Sequence, residues 1–196
     1  RRSIFRRAGD TRTLARALHA RIVEPLGLPS GSERLVVVPH GALHYLPFQA
    51  LVGTAGRYLI EERGIVIAPS ASVALQLARR GAGASGALVA FGNPASQARE
   101  GLPGAEREVE RISDLFPERR VYFREQASKE RFRESAGAGR ILHVAAHAEV
   151  DAVDPLHSRI LLAGAADDPG FLEAREVYDV DLGGVALVTL SACESG

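Results

Sequence analysis

The chain has 196 residues with 24 basic and 24 acidic side chains, 46% hydrophobic residues and a single cysteine. That length is enough to bury a real core. The balanced charge supplies no field to draw the chain onto nucleic acid or an anionic membrane, and one cysteine excludes an internal disulfide.

Arginines at positions 1, 2, 6, 7 and 12 surround Ile4 and Phe5. The spacing then predicts a helix from Thr11 to Val23 with Leu14, Ala17, Leu18 and Ile22 on its apolar face, stopped by Pro25. Residues 1–30 read as a helical lead-in whose arginine cluster is a solvated helix end, and residues 31–196 read as the main domain. Pro29 to Ser32 is a turn, Leu35 to Val38 a buried strand ended by Pro39, and Ile65 to Ile67 a further strand. Ser70 or Ser72 can cap a helix running to Arg79, and the glycine-rich stretch from Gly81 to Gly86 is a joint before a strand from Ala87 to Phe91. Pro103-Gly104 opens an amphipathic helix with Ala105, Val109, Ile112, Leu115 and Phe116 inward, closed by Pro117. Val121 to Phe123 is a short strand, and Ser128 caps a helix to about Ala136. Two aspartate-bearing loops, with Asp151 and Asp154 in one and Asp167 and Asp168 in the other, flank Ile160-Leu161-Leu162. Glu173 to Val180 reads as a short helix. This alternation predicts an α/β fold whose mostly parallel sheet has helices on both faces.

Two stretches carry chemistry. Ile141 to Ala145 leads to His147, and Val185 to Ala192 leads to Cys193; each is a compact apolar run, as a strand buried on both faces reads. If the two strands are neighbours, an imidazole and a thiol reach the same sheet rim, where open α/β sheets bind ligands. A free thiol, with a pKa of roughly 8.5, is mostly protonated at neutral pH, so a nucleophilic Cys193 needs a base such as His147. Read alone, Cys193 is better explained as a small hydrophobe filling space at a strand end. The polar Glu194-Ser195-Gly196 that follows it argues for an edge position.

His40 and His44, like His143 and His147, are four residues apart and on a helix could share a zinc ion. On a strand that spacing is ~13 Å, against ~2 Å from each ligand to one ion. His143 therefore reads as a core histidine, and His40 and His44 as structural residues of a turn. Gly81-Ala82-Gly83 and Gly92-Asn93-Pro94 match neither the dinucleotide nor the P-loop pattern, so no metal and no cofactor are expected. No apolar run approaches the ~20 residues that span a bilayer, and no signal peptide is present, which favours the cytoplasm, where a thiol stays reduced. Lys129 is the only lysine, and the dominance of arginine reads as the imprint of a GC-rich bacterial genome.

Leu142-His143-Val144-Ala145-Ala146-His147 and Leu190-Ser191-Ala192-Cys193-Glu194-Ser195-Gly196 resemble the signature segments of CHAT domains. These are caspase-like cysteine peptidases often found behind tetratricopeptide repeats. Ser158 to Ala163, Leu102 to Glu108 and Val37 to Phe48 match as well, so the resemblance runs from about Leu35 to the last residue. It implies a caspase-like fold, His147 as general base, Cys193 as nucleophile, and the backbone N–H groups of Ala148 and Cys193 as oxyanion donors. It also implies a protein substrate, with upstream repeats or a regulatory protein as activator and the arginine cluster as the junction to such repeats. In the family, glycine usually follows the histidine and further elements follow the cysteine. Here Ala148 follows, which cannot take a positive φ as cheaply, and the sequence stops at Gly196, so the domain is expected to be incomplete at its carboxyl end. A scaffold for protein–protein interaction built on the same fold is the alternative reading. A hydrolase of another α/β type using Cys193 lacks the Gly-x-Cys-x-Gly elbow.

Overall fold

In the computed structural model, which describes residues 8–29, 31–79, 86–96 and 98–192, the predicted alternation of strands and helices resolves into two units, Arg1–Gly81 and Ala82–Gly196. The first contains α1 (Ala8–Ile22), β1 (Arg34–Val37), α2 (Leu59–Glu62), β2 (Gly64–Ile67) and α3 (Ala71–Arg79). β1 and β2 pair in parallel, Arg34 opposite Gly64 and Val37 opposite Ile67. Leu18 and Ile22 pack with Val23, Phe48, Leu51 and Leu59. The expected face of α1 is partly wrong, because Leu14 points outward and is 56% exposed. The helix is instead fastened along the stripe of Arg12, Ala15 and Leu18: the Arg12 guanidinium lies 5.2 Å from the centre of the Tyr58 ring and the Ala15 carbonyl accepts from Val52 N–H. β1 is also less buried than its composition suggests. A two-stranded ribbon packs one face, so Leu35 and Val37 turn to the core while Val36 remains exposed. Ser70, not Ser72, caps α3, its Oγ accepting from Val73 N–H at 3.1 Å.

The second unit contains β3 (Leu88–Pro94), α4 (Pro103–Ser113), β4 (Arg119–Arg124), α5 (Lys129–Ser135) and β5 (Ile141–Ala145), then β6 (His147–Glu149), β7 (Arg159–Leu161), β8 (Phe171–Glu173) and β9 (Leu187–Ser191). Four of the strands form a parallel sheet in the order β4-β3-β5-β9. Period-two alternation sends Val89, Phe91, Leu142 and Val144 to one face against Phe132 and Leu172, and Leu88, Ala90, Ile141 and Ala145 to the other against Val109. The sheet is thus covered on both faces, as predicted. Fully burying one such Val, Leu or Phe contributes about 1.5–3 kcal/mol.

Three local expectations need correction. The stretch from His147 to Glu173 is not simply loops around one apolar run: β6, β7 and β8 form a separate antiparallel sheet, with His147 opposite Leu161 and Arg159 opposite Glu173. Strands of three residues are too short for alternation to announce them. β9, expected to be buried on both faces, leaves Leu187, Val188 and Leu190 exposed, because among the described residues only β5 borders it. α4 ends at Ser113, so Leu115 lies beyond the helix and faces solvent. The short helix expected over Glu173 to Val180 is present as the 3-10 helix Ala174–Asp179. Lys129, at the start of α5, ties this part of the unit together through Asp168 at 3.4 Å and Glu176 at 2.9 Å.

Candidate functional site

β5 and β9 are parallel neighbours, and their last register pair sets Ala145 opposite Ser191. Ala146 N–H then donates to the Ser191 carbonyl at 3.2 Å. His147 stands two positions beyond Ala145, and Cys193 follows Ser191 by the same count in the sequence. Cys193 and the three residues after it lie outside the described residues.

After Ala146 the chain leaves the parallel sheet, and His147 becomes the first residue of β6. Its ring is oriented from outside that strand: Nε2 lies 2.9 Å from the backbone carbonyl of Glu100. A carbonyl oxygen can only accept, so the proton sits on Nε2, and in the neutral ring Nδ1 carries the free lone pair. The segment bearing Glu100 is held on both sides. Arg99 pairs with Glu149 at 3.1 Å, and Leu102 N–H donates to Asn93 Oδ1 at 2.5 Å. Glu149 also receives Arg159 through Nε at 2.8 Å and Nη2 at 2.6 Å, while the Arg159 guanidinium sits 4.1 Å from the centre of the Phe171 ring. Arg159 first, and Arg99 second, hold the Glu149 carboxyl below its ordinary range.

His143 is 4% exposed and faces α4, where its Nε2 lies 3.1 Å from Glu108 Oε1. The second oxygen of the same carboxylate accepts from Ser191 Oγ at 3.0 Å. One side chain of α4 therefore joins both strands that lead to His147 and Cys193. The reading of His143 as a satisfied core residue is right, but its partner, 35 positions earlier, was not foreseen.

Ala148 lies within β6 and opposite Ile160. Its φ is not positive, since among the described residues only Asn93 and Arg124 are non-glycine residues in the left-handed region. The alanine therefore carries no backbone strain at this position. On the sheet face opposite α4, an apolar cleft of about 230 Å³ is lined by Val144, Ala146, Ala148, Leu172, Leu190 and Ala192. His40 and His44 are exposed on and beside the 3-10 turn Gly41–Tyr45. Among the described residues no group of three His, Cys, Asp or Glu side chains could hold a metal ion.

With this geometry in hand, comparison with known families is decisive for ancestry: the family model of the CHAT domain matches residues 12–196. The chain belongs to the CHAT domain family. CHAT domains are related to the caspase-like cysteine peptidases, and the parallel sheet β4-β3-β5-β9 with helices on both faces agrees with a caspase-like fold. No functionally curated protein matches this CHAT domain. No described helix is long and apolar enough to cross a membrane. Sequence reasoning missed the roles of Asn93 and Glu100 behind His147 and of Glu108 between His143 and Ser191. Asn93 offered one signal, an asparagine between Gly92 and Pro94 at a strand end, where left-handed backbone is common.

Proposed function

We propose that this CHAT domain is a cysteine endopeptidase of the caspase-like type, with His147 as general base and Cys193 as nucleophile. The observation that carries the reading is the His147 ring, whose Nε2–H is occupied by the Glu100 carbonyl; His147 follows β5, the parallel neighbour of β9, which Cys193 follows by two positions in the sequence. Nδ1 then accepts the thiol proton, and the thiolate attacks the scissile carbonyl carbon. The tetrahedral oxyanion is held by the backbone N–H groups of Ala148 and Cys193. On its collapse the C–N bond breaks, and the departing amine takes the proton from Nδ1. Water, deprotonated by the same nitrogen, hydrolyses the thioester and frees the sulfur. The Glu100 carbonyl serves as orienter and the neutral imidazole as base, so no third carboxylate is required.

The substrate in this reading is a protein cleaved in the cytoplasm, and upstream tetratricopeptide repeats or a regulatory protein control activity. The test is trapping with a peptide-based thiol electrophile. Labelling at Cys193 that disappears in His147→Ala supports the peptidase. Absence of labelling with substrate and activator present refutes it and leaves the interaction scaffold.

A further inference from the structure

The Glu100 carbonyl is useful to His147 only if it stays in place, and no regular element contains it. We infer that Asn93 is a positioning residue for the His147 imidazole, acting by fixing the Glu100 carbonyl against Nε2. The inference rests on the reading of His147 as the general base.

Asn93 lies at the end of β3, a strand paired on both sides by β4 and β5 and so a rigid platform. The register with β4 shifts between Gly92 and Pro94, and Asn93 has φ of 48°. Few side chains accept that region, and asparagine is the commonest after glycine. A non-glycine residue held there is a reason to ask what the conformation accomplishes. Here it aims a side chain that is 92% removed from solvent, its relative exposure being 8%.

Both ends of the amide are used. Oδ1 accepts from Leu102 N–H at 2.5 Å, and Nδ2 donates to Glu106 Oε2 at 2.7 Å. The orientation of the amide is unambiguous, since a backbone N–H can only donate and a carboxylate can only accept. Glu106 is fixed in turn by Arg124 at 3.2 Å. Its carboxyl is held below the ordinary range, chiefly by the Asn93 hydrogen bond and then by Arg124. Leu102 is the N-cap residue of α4 and makes no side-chain cap of its own. A Cβ on Gly101 would lie 3.4 Å from Asn93 Oδ1, so the segment passes close over the amide. Two residues before Leu102, the Glu100 carbonyl meets His147; one residue before that, Arg99 is anchored to Glu149 on β6 itself. The segment is therefore gripped at one end by the base's own strand and at the other by β3. Releasing the second grip frees the carbonyl, and the ring loses the contact that selects its tautomer.

The experiment uses the whole chain and two readouts. Ring-nitrogen NMR of His147, assigned by its loss in His147→Gln, reports the tautomer. The pH profile of Cys193 alkylation by iodoacetamide reports the thiol–imidazole pair. Asn93→Gly keeps the left-handed backbone at low cost and removes both hydrogen bonds. It is expected to mix the tautomers and to slow alkylation at neutral pH about tenfold, a fraction of the 10²–10⁴ that a well-placed base contributes. The paired change Asn93→Asp with Glu106→Gln exchanges donor for acceptor, keeps an acceptor for Leu102, and is expected to restore both readouts. A purely structural role would lower the melting temperature and leave tautomer and pH profile untouched. That result, or failure of the paired change to restore them, overturns the inference. Should Asn93→Gly not fold, Asn93→Asp alone sets a carboxylate against Glu106 and must give a partial loss that Glu106→Gln reverses; no loss overturns the inference equally. If wild-type and His147→Ala chains alkylate with the same pH profile, the peptidase reading fails. The nitrogen spectra alone then decide the role of Asn93.

Discussion

Removing the Glu108 carboxylate is expected to loosen β5 and β9 together. In Glu108→Ala, His143 Nε2–H loses its acceptor in a position 4% exposed, and an unsatisfied buried donor costs about 1–3 kcal/mol. Ser191 Oγ loses its acceptor too. Ser191 is only partly buried, so water replaces that bond and the second loss stays within about 1 kcal/mol. The sum is roughly 1–4 kcal/mol. With an m-value of about 2 kcal/mol/M in urea, the midpoint falls by about 0.5–2 M. The chain comprises two units and two-state behaviour is a property of single domains, so the assay is amide hydrogen exchange along β5 and β9 as a function of urea, not a global signal. The double variant Glu108→Leu with His143→Leu removes donor and acceptor together and is expected to cost less than the sum of the singles, a coupling of about 1 kcal/mol or more. A Glu108→Ala chain whose β5 and β9 amides open within about 0.5 kcal/mol of wild type would refute the reasoning.

Acid sensitivity follows from Glu149. Its folded-state pKa is depressed by Arg159 and then Arg99 below the ordinary 4.5, so its stabilisation is complete above that value and is lost as the pH falls through the folded-state pKa. The melting temperatures of wild type and Glu149→Gln are expected to differ at pH 7 and to converge below pH 4.5; a constant difference across that range contradicts the assignment. Phe91 is fully buried, with ring centroids 5.0 Å from Tyr122 and 5.4 Å from Phe132. Phe91→Ala is expected to destabilise the second unit by about 3–5 kcal/mol, read from denaturant midpoints by tyrosine fluorescence, and a cost under about 1.5 kcal/mol would mean that the site refills.

The parallel sheet was legible because Ile141 to Ala145 and Leu88 to Phe91 are mostly apolar on both faces, with one helix opened by Pro103 and another capped by Ser128 between them, and those features are local. The neighbour relation of β5 and β9 stood only as a condition in the sequence, and the register supplies it. What stayed hidden depends on contacts between residues far apart in the chain. Nothing near His143 in the sequence names Glu108, and a backbone carbonyl such as that of Glu100 leaves no mark in the identity of its residue. The hairpin sheet was missed for a different reason: His147 to Glu149, Arg159 to Leu161 and Phe171 to Glu173 are three-residue strands mixing charge and hydrophobe. α1 misled through Leu14, whose spacing fits an inward stripe although the ring of Tyr58 draws the helix round toward Arg12.

Lys129 carries the only side-chain amine of the sequence, and that amine is shut between Asp168 and Glu176 with 13% of its side chain exposed. Reagents that acylate lysine must break two ion pairs before they touch this molecule's side chains. Side-chain adducts of amine-directed reagents will accordingly report on the opening of one salt-bridged corner, whereas guanidine- or carboxyl-directed chemistry will report on the surface at large.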